Sequence, residues 1–376
     1  MNKRQGFDEI TRNSWRLMKY IGGYNPSHGK YHILYVAFII ISAHVGYTLT
    51  LTIEAFNIKD NTSKLIEQCF YIIIMFICSM KLFLYCWRLD NFKEMREIFN
   101  YLDNKLDQKE YINLVKKCKQ LSMIHLIVYE SVYVMSILSL LFFKDRKLLQ
   151  PAWFPFDWQN NLWTYILLIL YQLFSSGILT ATNSFNDSIP IVLIGMLMCH
   201  LDFLIKRVEK IGYNSNSRNA KSNLSSLIQD FQLILKQFKI IDQTISTGQF
   251  LQLLVSNFII CSSIVLVLFF AEDNFKRIYF ALFFIAAFSQ VFIICHFGSN
   301  FTRKIEDLTF SIYSCNWMNQ DKCFRKSVLI FMEGSLRIKQ FTVGGIIRVS
   351  LETFLNIVKS SFSLFAILRQ YARSDV

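Results

Sequence analysis

Near the carboxyl end of the chain, Glu352, Asn356, Lys359, Ser363, Ile367 and Gln370 recur every three or four residues within an otherwise apolar run. On a helix they share a stripe roughly 80° wide. A charge facing hydrocarbon costs at least ~2.5 kcal/mol, so this stripe belongs against water or protein. Two readings account for it. In one, the stripe forms buried pairs, Glu352 with Lys359 two turns on or with neighbouring helices. In the other it lines an ion path, and Ile367, between Ser363 and Gln370, is an apolar constriction. One helix encloses no path, so the second reading requires several copies around an axis. The opposite face, with Leu351, Phe354, Leu355, Val358, Phe362 and Leu364, is the expected packing side.

Other reactive residue types are sparse. Cys199-His200 and Cys295-His296 offer metal-ligating types, but helix neighbours point about 100° apart and no metal is expected. His44 and Glu130 are ionisable groups within apolar runs, where a functional role and an interhelical hydrogen bond both fit. No zinc-protease helix, Walker loop, dinucleotide fingerprint or nucleophile elbow is present, so neither enzyme activity nor a cofactor is expected. The net charge of +13 is spread between apolar runs rather than gathered in a basic domain, which argues against nucleic acid.

Composition dictates the elements that carry these residues. With 53% hydrophobic residues, 16% aromatic residues and four prolines, the chain departs from soluble domains. The apolar residues fall near 31–53, 66–87, 123–143, 162–200, 248–271, 277–297 and 346–371. Runs of about 20 residues cross a hydrocarbon core about 30 Å thick, and a helical bundle satisfies every backbone group there. The expected fold is therefore an all-α membrane protein of seven transmembrane helices. The fourth run exceeds one crossing and is expected to tilt or protrude, and to unwind near Asn183, Asn186, Asp187 and Pro190. Lys and Arg favour one set of alternate loops about three to one, which predicts a cytoplasmic amino terminus and an extracellular carboxyl terminus. The polar segment 1–30 has no signal-peptide core. The nine cysteines avoid the outer loops, so no extracellular disulfide is expected, while Asn61-Thr62-Ser63 is a glycosylation sequon in the first outer loop.

The cytoplasmic segments carry helical patterns of their own. Phe92, Met95, Phe99, Leu102 and Leu106 form one, and Leu224, Leu227, Ile228, Phe231, Ile234, Leu235, Phe238 and Ile241 another. Ile305, Leu308, Ile312 and Trp317 form a third, and Val328 to Ile338 a fourth. They predict spans prolonged into a cytoplasmic anchor bundle, whose apolar seams suit subunit contacts and packing within one chain equally. Asn214 to Ser226, rich in Asn and Ser, reads as a mobile loop.

In the carboxyl-terminal third, Tyr313-x-x-x-Trp317, Arg325-Lys326-Ser327-Val328-Leu329, Val349-Ser350-Leu351-Glu352-Thr353-Phe354 and Lys359-Ser360-Ser361-Phe362-Ser363-Leu364-Phe365 follow in an order that resembles the insect odorant receptor family. Pro151-Ala152-Trp153-Phe154-Pro155-Phe156-Asp157-Trp158 is similar to that family's second extracellular loop. Phe362 and Leu364 depart from the tyrosines of many members.

The resemblance implies a subunit of an odorant-gated, nonselective cation channel, tetrameric with a shared co-receptor, in the plasma membrane of an olfactory neuron dendrite. It implies contact with membrane lipid and permeant cations, a small volatile organic ligand, a pore lined by the last helix, and a gate at Ile367 beside Gln370 and Tyr371. The implied organisation is a cytoplasmic segment 1–30, six spans with an odorant pocket in their outer half over 31–297, anchor helices over 298–345, and the seventh helix with the extracellular terminus over 346–376.

No motif transfers to the pocket. Position and chemistry select Phe70, Tyr71 and Ile74 on the second span, Val134, Ile137, Leu138 and Leu141 on the third, and Tyr171, Phe174, Ser175 and Ile178 on the fourth. Spans five and six add Phe269, Tyr279, Phe280 and Phe283, with lipid contact or core packing an equal alternative at each. Other classes remain: a related gustatory receptor channel, a G-protein-coupled receptor, which the cytosolic amino terminus opposes, and a transporter, for which no internal repeat is visible.

Overall fold

The computed structural model describes residues 6–23, 29–58, 62–142, 146–213, 217–271, 274–337 and 340–374. Asn61 lies outside them, as do the side chains of Leu141, Gln370 and Tyr371.

Helix α1 (Gly6–Tyr20) precedes a first span made of α2 (Lys30–Ile39), a π-helical turn (Ile40–Gly46) and α3 (Tyr47–Asn57). Then come α4 (Thr62–Trp87), α5 (Leu89–Asp103), α6 (Gln108–Phe142), α7 (Leu162–Val208) and α8 (Ser217–Val265), the last prolonged by a π-helical turn (Leu266–Phe270). The chain closes with α9 (Asn274–Ser314), α10 (Lys322–Leu336), the two-residue strands β1 (Thr342–Val343) and β2 (Ile347–Arg348), and α11 (Leu351–Ser374).

Among the described residues, five helices are long and apolar enough to cross a membrane: Lys30–Asn57, Lys64–Trp87, Leu162–Val208, Ala220–Phe270 and Asn274–Ser314. The other two expected crossings fall on α6 and α11. Among the described residues the apolar stretch of α6 is shorter, Leu126–Leu138, and α11 is diluted by its polar stripe.

The helical patterns expected outside the bilayer resolve largely as helices. Phe92, Met95, Phe99 and Leu102 form the buried face of α5. The second and third series continue the spans themselves, since α8 has 49 residues and α9 has 41. At 1.5 Å per residue such helices reach roughly 60–75 Å, far beyond the bilayer core. Ile305, Leu308, Ile312, Val328 and Phe331 are buried within the chain. A different set at this basic end is exposed: Phe310, Tyr313, Leu336 and Ile346 border an open groove.

Two expectations are corrected. Residues Ser217 to Ser226 belong to α8 and are not a loop. Ala220 and Leu224 are buried, and Lys221 pairs with Asp321 at 2.6 Å, so tertiary contacts override the Asn/Ser composition. Helix α7 also runs without interruption through Pro190. Proline lacks the N–H that would bond to the carbonyl four residues back, and the Tyr85 hydroxyl donates to that carbonyl, Asn186 O, at 3.3 Å.

The link into α11 is a β-hairpin absent from the helical reading. Thr342 pairs with Arg348 and Val343 with Ile347, and the turn uses Gly344 and Gly345 at φ +61° and +69°. The hairpin sits on α8, where Ser246 Oγ donates to Thr342 O at 3.1 Å and Asp242 accepts from Thr342 N at 3.0 Å. At Gly298 of α9 an added Cβ would lie 2.2 Å from Val349 O, so only glycine permits this close approach of the segment entering α11.

Candidate functional site

The most polar part of the bundle interior lies where α4, α6, α7, α8 and α9 meet. Lys81 of α4 and Asp187 of α7 form an ion pair at 2.5 Å, with side chains 0% and 3% exposed. Tyr129 of α6 donates to Asp187 Oδ2, and Gln290 of α9 donates to the same oxygen at 2.5 Å. Gln252 of α8 in turn donates to Gln290 Oε1 at 2.8 Å. Asn186 donates to Cys78 O at 2.8 Å and so fastens α7 to α4. Burial of a charge is tolerable only when it is paired and hydrogen-bonded, and this carboxylate has three donors from three helices. Lys81 and Asp187 were both visible within apolar runs; an acid and a base in membrane spans are the available signal for such a pair.

Two small adjoining cavities lie against this network. One, of about 60 Å³, is bordered by Ile74, Tyr129, Tyr133, Asn183, Tyr279 and Phe283 among others. The second, of about 30 Å³, shares Ile74, Tyr129, Asn183 and Phe283 and adds Gln252, Ile259 and Gln290. Gly177 lets Tyr133 approach α7, since a Cβ there would lie 2.9 Å from the Tyr133 hydroxyl, which donates to Leu173 O at 2.8 Å.

The loop before α7 caps this region. Gln68 donates to Leu51 O and Pro151 O at 2.7 and 2.9 Å. Gln172 donates to Gln150 O at 2.9 Å and accepts from Leu149 N at 2.8 Å. Gln150 itself accepts from Tyr47 and borders the larger cavity.

Of the residues selected from sequence, Ile74, Tyr279 and Phe283 border the cavities. Phe70, Tyr71 and Phe280 lie behind them in a buried aromatic cluster, Phe70 packing on Phe283 at 5.3 Å. Ser175 is buried, and Ile178 packs against the core away from both cavities. Ile137 and Leu138 are partly buried on α6 and border neither cavity. Tyr171 donates to Ser42 O at 2.8 Å and packs on Tyr47 and Phe154. Val134 and Phe174 point outward, and Phe269 stacks on Phe365 of α11. Apolar side chains on a membrane helix are equally stable against lipid, which is why their type does not reveal their direction. Sequence reasoning did not place Tyr129, Asn183, Gln252 and Gln290 in the pocket, polar residues within the expected spans whose type was the usable signal.

Helix α11 packs on α8 and α9 through Phe354, Ile357 and Ser361, all buried. Phe354 meets Phe288 and Phe292 at 5.1 and 5.3 Å. Asn257 of α8 accepts from the hydroxyls of Ser360 and Ser361 at 2.7 and 3.2 Å. Glu352, Asn356, Lys359, Ser363 and Ile367 are exposed, and neither Glu352 nor Lys359 makes an ion pair among the described residues. Leu351, Leu355 and Phe362 of the expected packing side are exposed as well, so that side is only partly covered within one chain.

The two Cys-His pairs stay apart in their contacts. His200 faces Asp103 at 3.1 Å, and His296 bonds Asn300 one turn on at 2.8 Å. His44 bonds Ser79 of α4 at 2.8 Å.

Fold and site together define a multi-pass helical membrane protein with a loop-capped interior cavity. The family profile described as 7tm odorant receptor matches residues 61–362, and the chain belongs to that family. Among its relatives, odorant receptor 59a of Drosophila melanogaster is 26% identical, over 96% of each chain. Odorant receptor 33a of the same species is 28% identical over 94% of this chain and 93% of that one. The structure of the insect olfactory receptor OR5 from Machilis hrabei matches with a TM-score of 0.80 at 15% identity, covering 97% of this chain and 100% of that one. OR5 in complex with eugenol gives 0.78. The chain shares the seven-helix receptor fold of OR5, and the family comprises receptors rather than enzymes.

Proposed function

We propose that this chain is the odorant-binding subunit of a ligand-gated, nonselective cation channel, assembled as a heterotetramer with a co-receptor subunit in the plasma membrane of olfactory neuron dendrites. The observation that carries this reading is the division of α11. One face is buried on its own protomer, while Glu352, Asn356, Lys359 and Ser363 are exposed and the two charges lack partners among the described residues. Charges on a membrane helix that turn away from their own chain call for water shared with other subunits. Ile367, 54% exposed on the same stripe, is the hydrophobic gate in this reading, with Gln370 and Tyr371 beside it.

A small volatile ligand binds in this reading among α4, α6, α7 and α9. OR5 bound to eugenol supports a small-molecule site in this fold. The cavities of about 60 and 30 Å³ are far below the roughly 300–1,000 Å³ of occupied small-molecule sites, so a ligand must spread their walls. It thereby favours a wider bundle, which is the differential affinity that a ligand-driven change requires. The same α8 and α9 that wall the smaller cavity hold α11 through Asn257, Phe288 and Phe292.

Residues 1–30 and the anchor region 298–345 are cytoplasmic in this account, and the exposed Phe310, Tyr313, Leu336 and Ile346 are offered to neighbouring subunits. Asn61 is then extracellular and open to glycosylation.

Expression with the co-receptor and current recording against an odorant panel tests the proposal. Odorant-evoked cation current is expected, with altered block or selectivity when Ile367 and Gln370 are replaced by bulky or charged residues. Unchanged currents in those variants, or an amino-terminal tag stained on intact cells, would overturn it.

A further inference from the structure

The cavity wall carries a polar group that the surrounding network leaves unused. Asn183 of α7 borders both cavities, is partly buried, and its side-chain amide makes no hydrogen bond among the described residues. Its neighbours on that face are held by the bundle: Thr182 donates to Ile178 O, Asn186 donates to Cys78 O, and Asp187 binds Lys81, Tyr129 and Gln290. An amide at mid-span without a partner is costly, and it gains most from a partner brought into the cavity.

The charges near the cavity are closed off. Lys81 is fully buried against Asp187, and no charged side chain borders either cavity among the described residues. A carboxylate or ammonium ligand would thus enter without a counter-charge and lose its hydration. Around Asn183 the wall combines apolar Ile74, Ile259, Phe283 and Ala286 with Tyr129, Gln252 and Gln290, whose polar groups already bond to Asp187 or to each other.

We propose that Asn183 is the specificity-determining residue of this cavity, and that its ligands are small neutral molecules with an apolar body and one hydroxyl or carbonyl oxygen bonded to the Asn183 amide. The proposal rests on the reading of this cavity as the odorant site. The amide both donates and accepts, so alcohols and carbonyl compounds are served by the same side chain. A hydrocarbon of the same shape leaves the amide unpaired, and sites built around a hydrogen bond discriminate strongly for that reason.

The test uses the purified full-length protein in lipid nanodiscs and equilibrium binding of propylbenzene, 3-phenylpropan-1-ol and 3-phenylpropanoate, with hexane, hexan-1-ol, hexan-2-one and hexanoate as a second series. The alcohols and the ketone are expected to bind about tenfold more tightly than the hydrocarbons, and the carboxylates not at all. Asn183→Leu is expected to bring the alcohols down to hydrocarbon affinity while hydrocarbon binding persists, which also reports a folded protein. Asn183→Ser, a milder change, is expected to lose part of the preference. Equal binding of hydrocarbon and alcohol to the unaltered protein, carboxylate binding, or an undiminished preference in both Asn183 variants would overturn the proposal. Ala286→Leu fills the cavity and separates the two claims. If it weakens every probe while Asn183→Leu changes nothing, only the role of Asn183 fails; if it leaves all probes unchanged, the cavity reading itself fails.

Discussion

Two places in this chain set a lysine and an acid inside membrane helices, and they handle the charges in opposite ways. Lys81 and Asp187 lie 106 residues apart, on different helices, and meet in the bundle interior at 2.5 Å. Glu352 and Lys359 lie on one helix, two turns apart, yet remain exposed and form no pair among the described residues. Desolvation explains the contrast. The interior pair is stable because Tyr129 and Gln290 complete the carboxylate's hydrogen bonds, whereas the α11 residues have only their own helix surface around them. The first arrangement ties helices together, and the second leaves charge available to whatever lies outside the protomer.

The strongest way to break this comparison is to remove one member of the interior pair. Lys81→Met or Asp187→Leu alone is expected to destabilise the protein by about 3–5 kcal/mol, read as loss of surface expression and a lower thermal unfolding temperature. The double variant should recover much of that loss, because two apolar residues leave no orphaned charge. Single variants as stable as the parent would mean that the pair does not organise the bundle.

A smaller effect tests the neighbouring proline. Tyr85→Phe removes the hydroxyl that serves Asn186 O and is expected to cost about 1 kcal/mol. Combined with Pro190→Ala, which restores a helical N–H for that carbonyl, the same change should cost less than half as much in a double-mutant cycle. Strict additivity would contradict the account of Pro190.

On α11, Glu352→Gln and Lys359→Gln should each shift stability by no more than about 0.5 kcal/mol, as exposed substitutions do. Their effect should appear in ion conductance or selectivity.

The least costly charges to alter are at the basic end. Lys221 and Asp321 pair outside the spans; the pair holds the Asp321 carboxyl below its ordinary 3.8, and Lys221 is raised above 10.5. The depressed carboxyl gives a contribution that is complete above pH 3.8 and fades as the pH falls through the lower folded value, while the lysine part fades only above pH 10.5. Both groups are exposed, so screening keeps the effect small. Asp321→Asn, whose side-chain oxygen still accepts from Phe324 N, should narrow the difference from the parent as the pH drops, measured by thermal unfolding between pH 3 and 7.

Periodicity carried much of this in the sequence. The α5 face of Phe92, Met95, Phe99 and Leu102 and the one-sided stripe of α11 follow from spacing alone, because each residue's direction is fixed by a single helix. What spacing cannot encode is which helix lies opposite. Asp187 and Pro190 read as breakers of α7, whereas Lys81, Tyr129 and Tyr85 from other helices supply the partners that keep it intact. The pocket suffered likewise: Ile74, Tyr279 and Phe283 were reachable as apolar or aromatic residues at the right depth, but Val134 and Phe174 met the same criterion and point outward. Asn183 was visible as a polar residue in a span, and only the surrounding contacts distinguish its unbonded amide from the engaged Asn186.

The central claim, that the α11 stripe borders a shared water path while its other face is packed protein, is tested most directly by cysteine accessibility. With the exposed native Cys323 replaced, single cysteines are placed at Glu352, Asn356, Lys359, Ser363 and Ile367, and at the buried Phe354, Ile357 and Ser361. Each variant is co-expressed with the co-receptor and treated with a charged, water-soluble thiol reagent during recording. Block or alteration of odorant-evoked current at the first set and none at the second is the predicted result. Equal reaction at both sets, or full modification of the stripe with unchanged current, would contradict it.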